Sequence, residues 1–283
     1  LLINCSFSIY PLTAEINLSK RHKVIGYYNI LKSFFDPVIP DFVIETRSDF
    51  SKNKSKWFEL YEKLEDDESR GTLENIVNFR LTADYRHMKK YSVRLDDQYF
   101  EDFMHYKNEV FIDAGGYIGD TTQEFIKRYP DFNHIHFIEP SDANLSAAKN
   151  NASLISNLSK ISFYDVGLSN KKGTMSFNEN QGSSSKITES GYKKIKVSRL
   201  DDIIDDNVTF IKMDLEGWEM KALEGAKKHI VESHPKLAIA IYHKPSDFHE
   251  IFNFVFNLRS DYKVYIRHYT EGWSETIMYF LPK

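Results

Sequence analysis

The sequence has very little cysteine and no long apolar run. Its 283 residues include one cysteine, Cys5. A single thiol excludes an internal disulfide framework and fits a reducing compartment. No apolar stretch approaches the roughly 20 residues that a membrane-spanning helix needs. The opening residues LLINCSFSIY are too short and too polar for a signal peptide, and the missing initial Met leaves the native N-terminus open. We therefore expect a cytoplasmic protein without a membrane span.

The sequence also lacks a strong charge of either sign. Lys and Arg number 37 against 41 Asp and Glu, which gives a formal net charge of −4. No basic stripe stands out, so the electrostatic footprint of nucleic-acid binding is missing. No G-K-S/T element is present either, which excludes a P-loop. These absences predict a globular protein whose partner is neither a nucleic acid nor a P-loop nucleotide, and they leave its oligomeric state open.

Residues 1–108 have the pattern of a mainly helical region. Apolar side chains recur at helical spacing over 57–64 and again over 73–81, and Gly71 is expected to separate two helices. The run EDDESR is interpreted as a solvated helix end. This region is therefore predicted to form a cap or satellite beside a second domain that covers residues 109–283.

From Glu109 onward, segments typical of strands alternate with segments typical of helices. The predicted strands are EVFIDA, HIHFIEP, ISFYDVGLS, NVTFIKMDLE and KLAIAIYHK, and EMKALEGAKKHIVES is predicted to be one helix. Such alternation with short connections predicts an α/β fold with a parallel sheet covered on both faces. The chain then closes with DYKVYIRHY and SETIMYFLP, whose short turn predicts an antiparallel hairpin.

Between the third and fourth predicted strands lies a longer polar segment. We interpret it as two short strands that flank a loop over residues 178–191. The loop is rich in Ser, Asn and Gly, and we expect it to be mobile. It carries no readable substrate signature.

Acidic residues stand where successive predicted strands end. Asp113, Glu139, Asp165 and Asp214 end the first four strands, and Glu216 follows closely. Ligands of open parallel sheets bind at the carboxyl ends of the strands. One acid at such a place is usually a helix cap. Four on successive strands predict a ligand site.

The glycine-rich turn after the first predicted strand is similar to that of a dinucleotide-binding site. Gly115, Gly116 and Gly119 give G-G-x-x-G, and Glu139 follows at a spacing typical of an acid that binds ribose hydroxyls. However, the first glycine of the dinucleotide pattern is missing, and the carboxylate of Asp113, which lies directly before the turn, would repel a pyrophosphate. An NAD-dependent oxidoreductase or nucleotide-sugar enzyme is therefore the alternative interpretation.

S-adenosylmethionine suits these residues better, because it has a ribose and two cationic groups and no phosphate. We expect Asp113 near its ammonium or sulfonium and Glu139 on the ribose diol. Asp165 and the Val166 amide are expected to face the adenine. Thr121 and the first amides of the following helix are expected to bind the methionine carboxylate. The glycines would let the backbone approach this cofactor closely.

Five segments together resemble the FkbM family of S-adenosylmethionine-dependent methyltransferases. They are FIDAGGYIGDTT, HFIEP, DVGLS, IKMDLEGWEMKALEGA and IYHKPSD, and the resemblance runs from about Val110 to the C-terminus. It is most specific in the family pattern I-K-x-D-x-E-G-x-E. Gly116-Tyr117 replaces the Ala-Asn often seen in the turn, so Tyr117 is expected to meet the cofactor differently.

The resemblance implies a Rossmann-like class I methyltransferase fold, with seven strands of which the last is antiparallel. It also implies O-methylation of a hydroxyl, often on a sugar of a glycan or on a secondary metabolite, with S-adenosylhomocysteine as the product. A non-catalytic binding module on the same fold is a further alternative.

Methyl transfer to an alcohol requires alignment of donor and acceptor and a base that takes the proton. His243 ends the fifth predicted strand and is the candidate base. Asp214 and Glu216 are its rivals, or they hold substrate hydroxyls, or Glu216 caps a helix that starts at Gly217. Lys212 is expected to pair with one of these two acids. Asp214, Glu216 and His243 lack a dedicated metal-ligand spacing, and a divalent cation beside a sulfonium is unfavourable, so we predict no metal.

Overall fold

The structure, a computed structural model, describes residues 1–33, 38–152, 158–178, 186–188 and 191–283. The chain divides into two compact units. Unit 1 comprises Leu1–Gln98, Ile241–Phe252 and Lys263–Met278, and unit 2 comprises Tyr99–Ala240, Asn253–Tyr262 and Tyr279–Lys283. The later part of the chain contributes segments to both units, and the domain division expected at residue 108 stays a prediction. Within the described ranges, no helix is both long enough and apolar enough to cross a bilayer.

Unit 1 begins with a small two-stranded sheet and four helices. These elements are β1 (Leu2–Asn4), α1 (Pro11–Ser19), β2 (Val24–Gly26), α2 (Tyr27–Ser33), α3 (Asp41–Lys63) and α4 (Asp67–Thr82). β1 and β2 pair in parallel. The N-terminal region is therefore mainly helical, as the sequence predicts.

The break between α3 and α4 does not fall at Gly71, so that prediction was wrong. Gly71 lies inside α4, and the chain is instead extended at Leu64. The Asp66 carboxylate accepts the N–H of Ser69 at 2.7 Å and starts the next helix. Asp66 also pairs with Arg267, 2.7 Å away. The run EDDESR is therefore a helix start with a partly buried cap.

Unit 2 carries most of the strands. In chain order these elements and those that follow are β3 (Val110–Ala114), α5 (Asp120–Arg128), β4 (His134–Ile138), α6 (Asp142–Ala152), β5 (Ile161–Tyr164), β6 (Gly167–Leu168), β7 (Gly173–Asn178), β8 (Lys186–Thr188), β9 (Lys193–Ser198), β10 (Phe210–Met213), α7 (Glu219–Glu224), β11 (Lys236–Ala240), α8 (Asp247–Leu258), β12 (Tyr262–His268) and β13 (Thr276–Pro282). α8, β12 and β13 each contain residues of both units.

Seven strands form the main sheet, in the order β12-β13-β11-β10-β3-β4-β5. The pairs β11–β10, β10–β3, β3–β4 and β4–β5 are all parallel. β12 and β13 are neighbours joined by the short connection 269–275, which only an antiparallel pair allows. The predicted mostly parallel sheet with a C-terminal hairpin is confirmed.

The centre of this sheet is almost entirely apolar. Phe111 and Ile112 of β3, Ile211 of β10 and Leu237 of β11 are all fully buried. Strands covered on both faces read as continuous apolar runs rather than as alternating ones. Polar side chains are therefore expected mainly at the ends of these strands, where the site lies.

A second sheet, in the order β6-β9-β7-β8, follows the main one in the chain. The predicted third strand splits after Tyr164: β5 stays in the main sheet and β6 pairs with β9. β8 lies inside the predicted loop 178–191 and pairs antiparallel with β7, so that part of the loop prediction was wrong. The rest of that loop, 179–185 and 189–190, lies outside the described residues.

The predicted helix EMKALEGAKKHIVES is interrupted. α7 ends at Glu224, and a π-helical turn covers His229–Ser233. Gly225 packs so closely on another segment that a Cβ there would lie 2.1 Å from the carbonyl oxygen of Ser169. The Gly225 carbonyl accepts the N–H of Asp201 at 3.0 Å, and the Asp201 carboxylate accepts the N–H groups of Lys228 and His229, so bonds to another segment replace those of a continuous helix.

Candidate active site

The glycine turn after β3 packs directly against neighbouring strands. Gly115 has a φ of +71°, and a Cβ there would lie 1.9 Å from the carbonyl oxygen of Asp214, just after β10. A Cβ at Gly116 would lie 2.2 Å from the ring of Phe137 in β4. Gly119, with a φ of +83°, precedes α5. The turn therefore needs glycine for steric reasons at the first two positions.

A pocket in unit 2 lies at the carboxyl ends of β3, β4 and β10. Several residues expected at the site line it, namely Gly115, Tyr117, Glu139, Val166, Asp214 and Glu216. The parallel registers of β10, β3 and β4 bring these strand ends to one edge of the sheet. The pocket lies at the edge of the sheet where the sequence analysis expects a ligand site, and its use as that site stays a prediction.

Glu139 is the most strongly bonded acid of the pocket. Its Oε2 accepts the N–H of Tyr117 at 3.0 Å, and its Oε1 accepts the N–H of Ser141 at 2.9 Å. The side-chain amide of Asn144 lies 3.5 Å from Oε1. Burial raises the pKa of Glu139 to about 7, and the hydrogen bonds offset only part of that effect. This carboxylate thus fixes the turn from the β4 side and also faces the pocket.

Asp113 is not among the residues that line the pocket, and its expected place near the cofactor stays a prediction. Its carboxylate is fully buried: Oδ2 accepts the hydroxyl of Thr122 at 2.7 Å, and Oδ1 lies 3.1 Å from Nζ of Lys212. Lys212 was expected to pair with Asp214 or Glu216, and its ammonium forms this ion pair with Asp113 instead. The acid that argued against a pyrophosphate is therefore neutralised inside the fold.

The other predicted cofactor residues differ in whether they line the pocket. Val166 lines it, whereas Asp165 is exposed and is not part of the lining. Thr121 is half-buried in the first turn of α5, and the neighbouring Thr122 makes the buried contact with Asp113. The third strand end therefore contributes backbone and an apolar side chain to the pocket rather than a carboxylate.

The segment after β10 carries Asp214 and Glu216 into the pocket lining. Oδ2 of Asp214 accepts the hydroxyl of Tyr99 at 3.1 Å. Glu216 has a φ of +54°. One interpretation was that Glu216 caps the next helix, and that prediction was wrong, because α7 begins at Glu219. The fully buried Glu219 accepts the N–H groups of Leu215 and Gly217 at 2.7 and 3.3 Å.

His243 belongs to unit 1, where it is half-buried. It follows Tyr242, whose ring centroid lies 4.1 Å from that of His243 and whose carbonyl accepts a hydrogen bond from Arg80. Its role as a base stays a prediction. In the same unit, burial lowers the pKa of His268 to about 3, and its Nδ1 lies 2.9 Å from the Thr276 hydroxyl, so a packed hairpin explains His268.

Several residues at the site escaped the sequence reasoning. They include Tyr99, Thr122, Trp218 and Glu219. Trp218 and Glu219 lie in the segment IKMDLEGWEMKALEGA that resembles the family, so this segment could have indicated them. Thr122 is one residue away from the predicted Thr121. Tyr99 lies before the segments that resemble the family, and nothing in the sequence connects it with Asp214.

A parallel sheet with this strand order and hairpin, and an acid-lined pocket beside a glycine turn, define the class I methyltransferase fold. Residues 113–264 match the family model of the methyltransferase FkbM domain, and the chain belongs to this methyltransferase family. The resemblance seen in the sequence is confirmed.

One solved structure is similar over nearly the whole chain. It is the methyltransferase FkbM from Methylobacillus flagellatus KT, with 27% identity and a TM-score of 0.78 over 95% of this chain and 70% of that chain. No curated protein matches.

Two more distant structures bear the name of rRNA methylases. A putative rRNA methylase from Clostridium thermocellum has 10% identity, with a TM-score of 0.42 over 70% of this chain and 92% of that chain. An rRNA methylase from Streptococcus thermophilus has 14% identity, with a TM-score of 0.40 over 62% and 88% of the two chains. Both are too distant to bear on function.

We expect Gly115→Ala to destabilise the protein by about 2–5 kcal/mol, because the methyl group meets the Asp214 carbonyl and the residue has a positive φ. Urea unfolding would measure this loss. The matched control is Gly173→Ala in β7, whose Cβ would meet nothing within 4 Å and which should shift stability by less than about 1 kcal/mol. Equal effects of the two substitutions would contradict the packing of the turn.

We expect the stability of the protein to fall as the pH rises through the titration of Glu139. Folding raises its pKa from 4.5 to about 7, so the native state binds the extra proton between these values and loses stability as that proton leaves. Relative to Glu139→Gln, the wild type should lose up to roughly 3 kcal/mol between pH 5 and pH 8. Urea unfolding at several pH values would test this.

Parallel profiles for Glu139→Gln and the wild type would show that folding does not perturb Glu139.

Proposed function

We propose that the protein is an S-adenosylmethionine-dependent O-methyltransferase that acts on a hydroxyl of a sugar, a glycan or a secondary metabolite. The observation that carries the proposal is the charge of the pocket. Glu139, Asp214 and Glu216 line it, and the described lining residues include no lysine or arginine. Such a lining favours a ligand with hydroxyls and positive charge over one with phosphates.

The proposed cofactor meets the pocket through Glu139, Tyr117 and Val166. Glu139 accepts hydrogen bonds from the ribose hydroxyls, and the glycines Gly115, Gly116 and Gly119 allow close approach of the backbone. Thr121 keeps its proposed contact with the methionine carboxylate. Asp113 acts indirectly, and the adenine is bounded by Val166 rather than by Asp165.

The acceptor and the base form the second half of the proposal. Carboxylates accept hydrogen bonds from hydroxyls, and the Trp218 indole offers an apolar face, a combination that suits a polyol such as a sugar. His243 is the proposed base, and Asp214 and Glu216 bind acceptor hydroxyls or replace it. No metal takes part in this scheme.

The proposed function has two alternatives, an NAD-dependent oxidoreductase and a non-catalytic binding module. Membership in a methyltransferase family argues against the NAD-dependent oxidoreductase. A non-catalytic module stays open to test by turnover. A cytoplasmic location stays a prediction from the single cysteine.

We expect calorimetric titration to show micromolar binding of S-adenosylhomocysteine and none of NAD, because the acidic pocket repels a pyrophosphate. Binding of NAD alone would reject the cofactor assignment. Binding of neither ligand would favour the non-catalytic module.

We expect His243→Ala to keep S-adenosylhomocysteine binding while methyl transfer falls by about 10²–10⁴-fold, the usual effect of losing a general base. Transfer of a labelled methyl group from S-adenosylmethionine to a panel of sugars would measure it. His22→Ala, at an exposed position of unit 1, is the control. Unchanged transfer by His243→Ala would remove this histidine from the mechanism.

A further inference from the structure

Lys212 places a buried cation under the glycine turn. Only 3% of the residue is exposed, and its Nζ donates to the carbonyl oxygen of Gly115 at 2.8 Å. Burial by itself lowers the pKa of Lys212, but the nearby carboxylates of Asp113 and Asp214 outweigh it, and the pKa is raised. The side chain is therefore an ammonium that binds the main chain of the turn.

The same ammonium reaches the helix that follows the turn. Its Nζ lies 3.1 Å from Oδ1 of Asp113, and Oδ2 of Asp113 accepts the hydroxyl of Thr122 in the first turn of α5. Lys212 is thus connected to the end of β3, to the turn and to the start of α5. The Tyr99 ring, with its centroid 5.4 Å from Nζ, covers it from a further side.

The placement of this ion pair is not explained by stability alone. Removing two charges from water offsets most of what a buried pair gains, and an apolar pair of similar size often serves stability as well. What such a pair does fix is geometry, because Nζ must lie within reach of two specific oxygens. Here one of the two is a backbone oxygen of the cofactor turn.

We propose that Lys212 is a positioning residue for the methionine half of the cofactor. It holds the turn and the start of α5 at the distance from β10 that this half requires. Glu139 holds the turn from the other side, through the Tyr117 N–H, and meets the nucleoside half. The inference rests on the proposed function, and it predicts that the two halves of the cofactor respond differently to the loss of Lys212.

The test compares a whole ligand with its nucleoside part. The variant is Lys212→Met combined with Asp113→Asn, because Lys212→Met alone would leave a buried carboxylate without its partner. Calorimetry would measure the dissociation constants of S-adenosylhomocysteine and of 5′-methylthioadenosine, which lacks the amino-acid part. We expect the first affinity to fall at least tenfold and the second to change less than twofold.

A matched control exists at the opposite edge of the same sheet. Lys236 at the start of β11 pairs with the buried Glu109, just before β3. Lys236→Met with Glu109→Gln removes a comparable ion pair far along the strands from the turn. Its affinity for both ligands should stay within twofold of the wild type.

The outcomes separate the two proposals. If the wild type does not bind S-adenosylhomocysteine, the proposed function fails. If the wild type binds it and the Lys212 variant binds it equally well, or loses both ligands equally, only the positioning role is rejected. If the double variant does not fold, Lys212→Gln with Asp113→Asn replaces it. The glutamine side chain is neutral and shorter than that of lysine, so this variant should show the same difference between the loss of affinity for S-adenosylhomocysteine and that for 5′-methylthioadenosine.

Discussion

The carbonyl oxygen of Asp214 occupies the space that any side chain at position 115 would need. This contact fixes the distance between the glycine turn and the end of β10, and it does so with main-chain atoms only. Glu139 bonds the turn from β4, and Lys212 bonds it from β10. The pocket is consequently bounded by strand ends that cannot separate without breaking buried polar contacts.

The charges around this turn divide into two layers. Asp113 and Lys212 neutralise each other beneath it, while Glu139, Asp214 and Glu216 line the pocket above it. A carboxylate next to a glycine turn therefore does not by itself define the charge that a ligand meets. The side on which it is buried decides that, and strand register sets the side.

The sequence is informative about the sheet because its strands are continuous apolar runs that end in acids. Parallel pairing brings such ends to one edge, so Glu139 and Asp214 could be predicted to meet at one site. The direction of Asp113 could not, since it depends on a lysine from another strand and on Thr122. The position of the helix break near Gly71 was equally hidden, because the cap at Asp66 competes with the glycine and is partnered by the distant Arg267.

Tyr99 is another residue whose position at the site could not be predicted from the sequence. Its backbone has a φ of +74°, unusual for an aromatic residue, and its N–H donates to the hydroxyl of Tyr279. The Tyr106 hydroxyl donates to the Tyr99 carbonyl oxygen, and the contact with Tyr279 comes from a segment far along the chain, so no local sequence pattern predicts this conformation. Its hydroxyl nevertheless reaches Asp214 in the pocket.

Two separate sheets share the walls of the pocket. Glu139 and Asp214 follow strands of the main sheet, whereas Phe177 and Ile187 come from β7 and β8 of the smaller one. Phe177 packs with Ile195 and Val197 in a small core of its own. Substitutions in that small core can therefore reshape one wall without disturbing the strand order that aligns the acids.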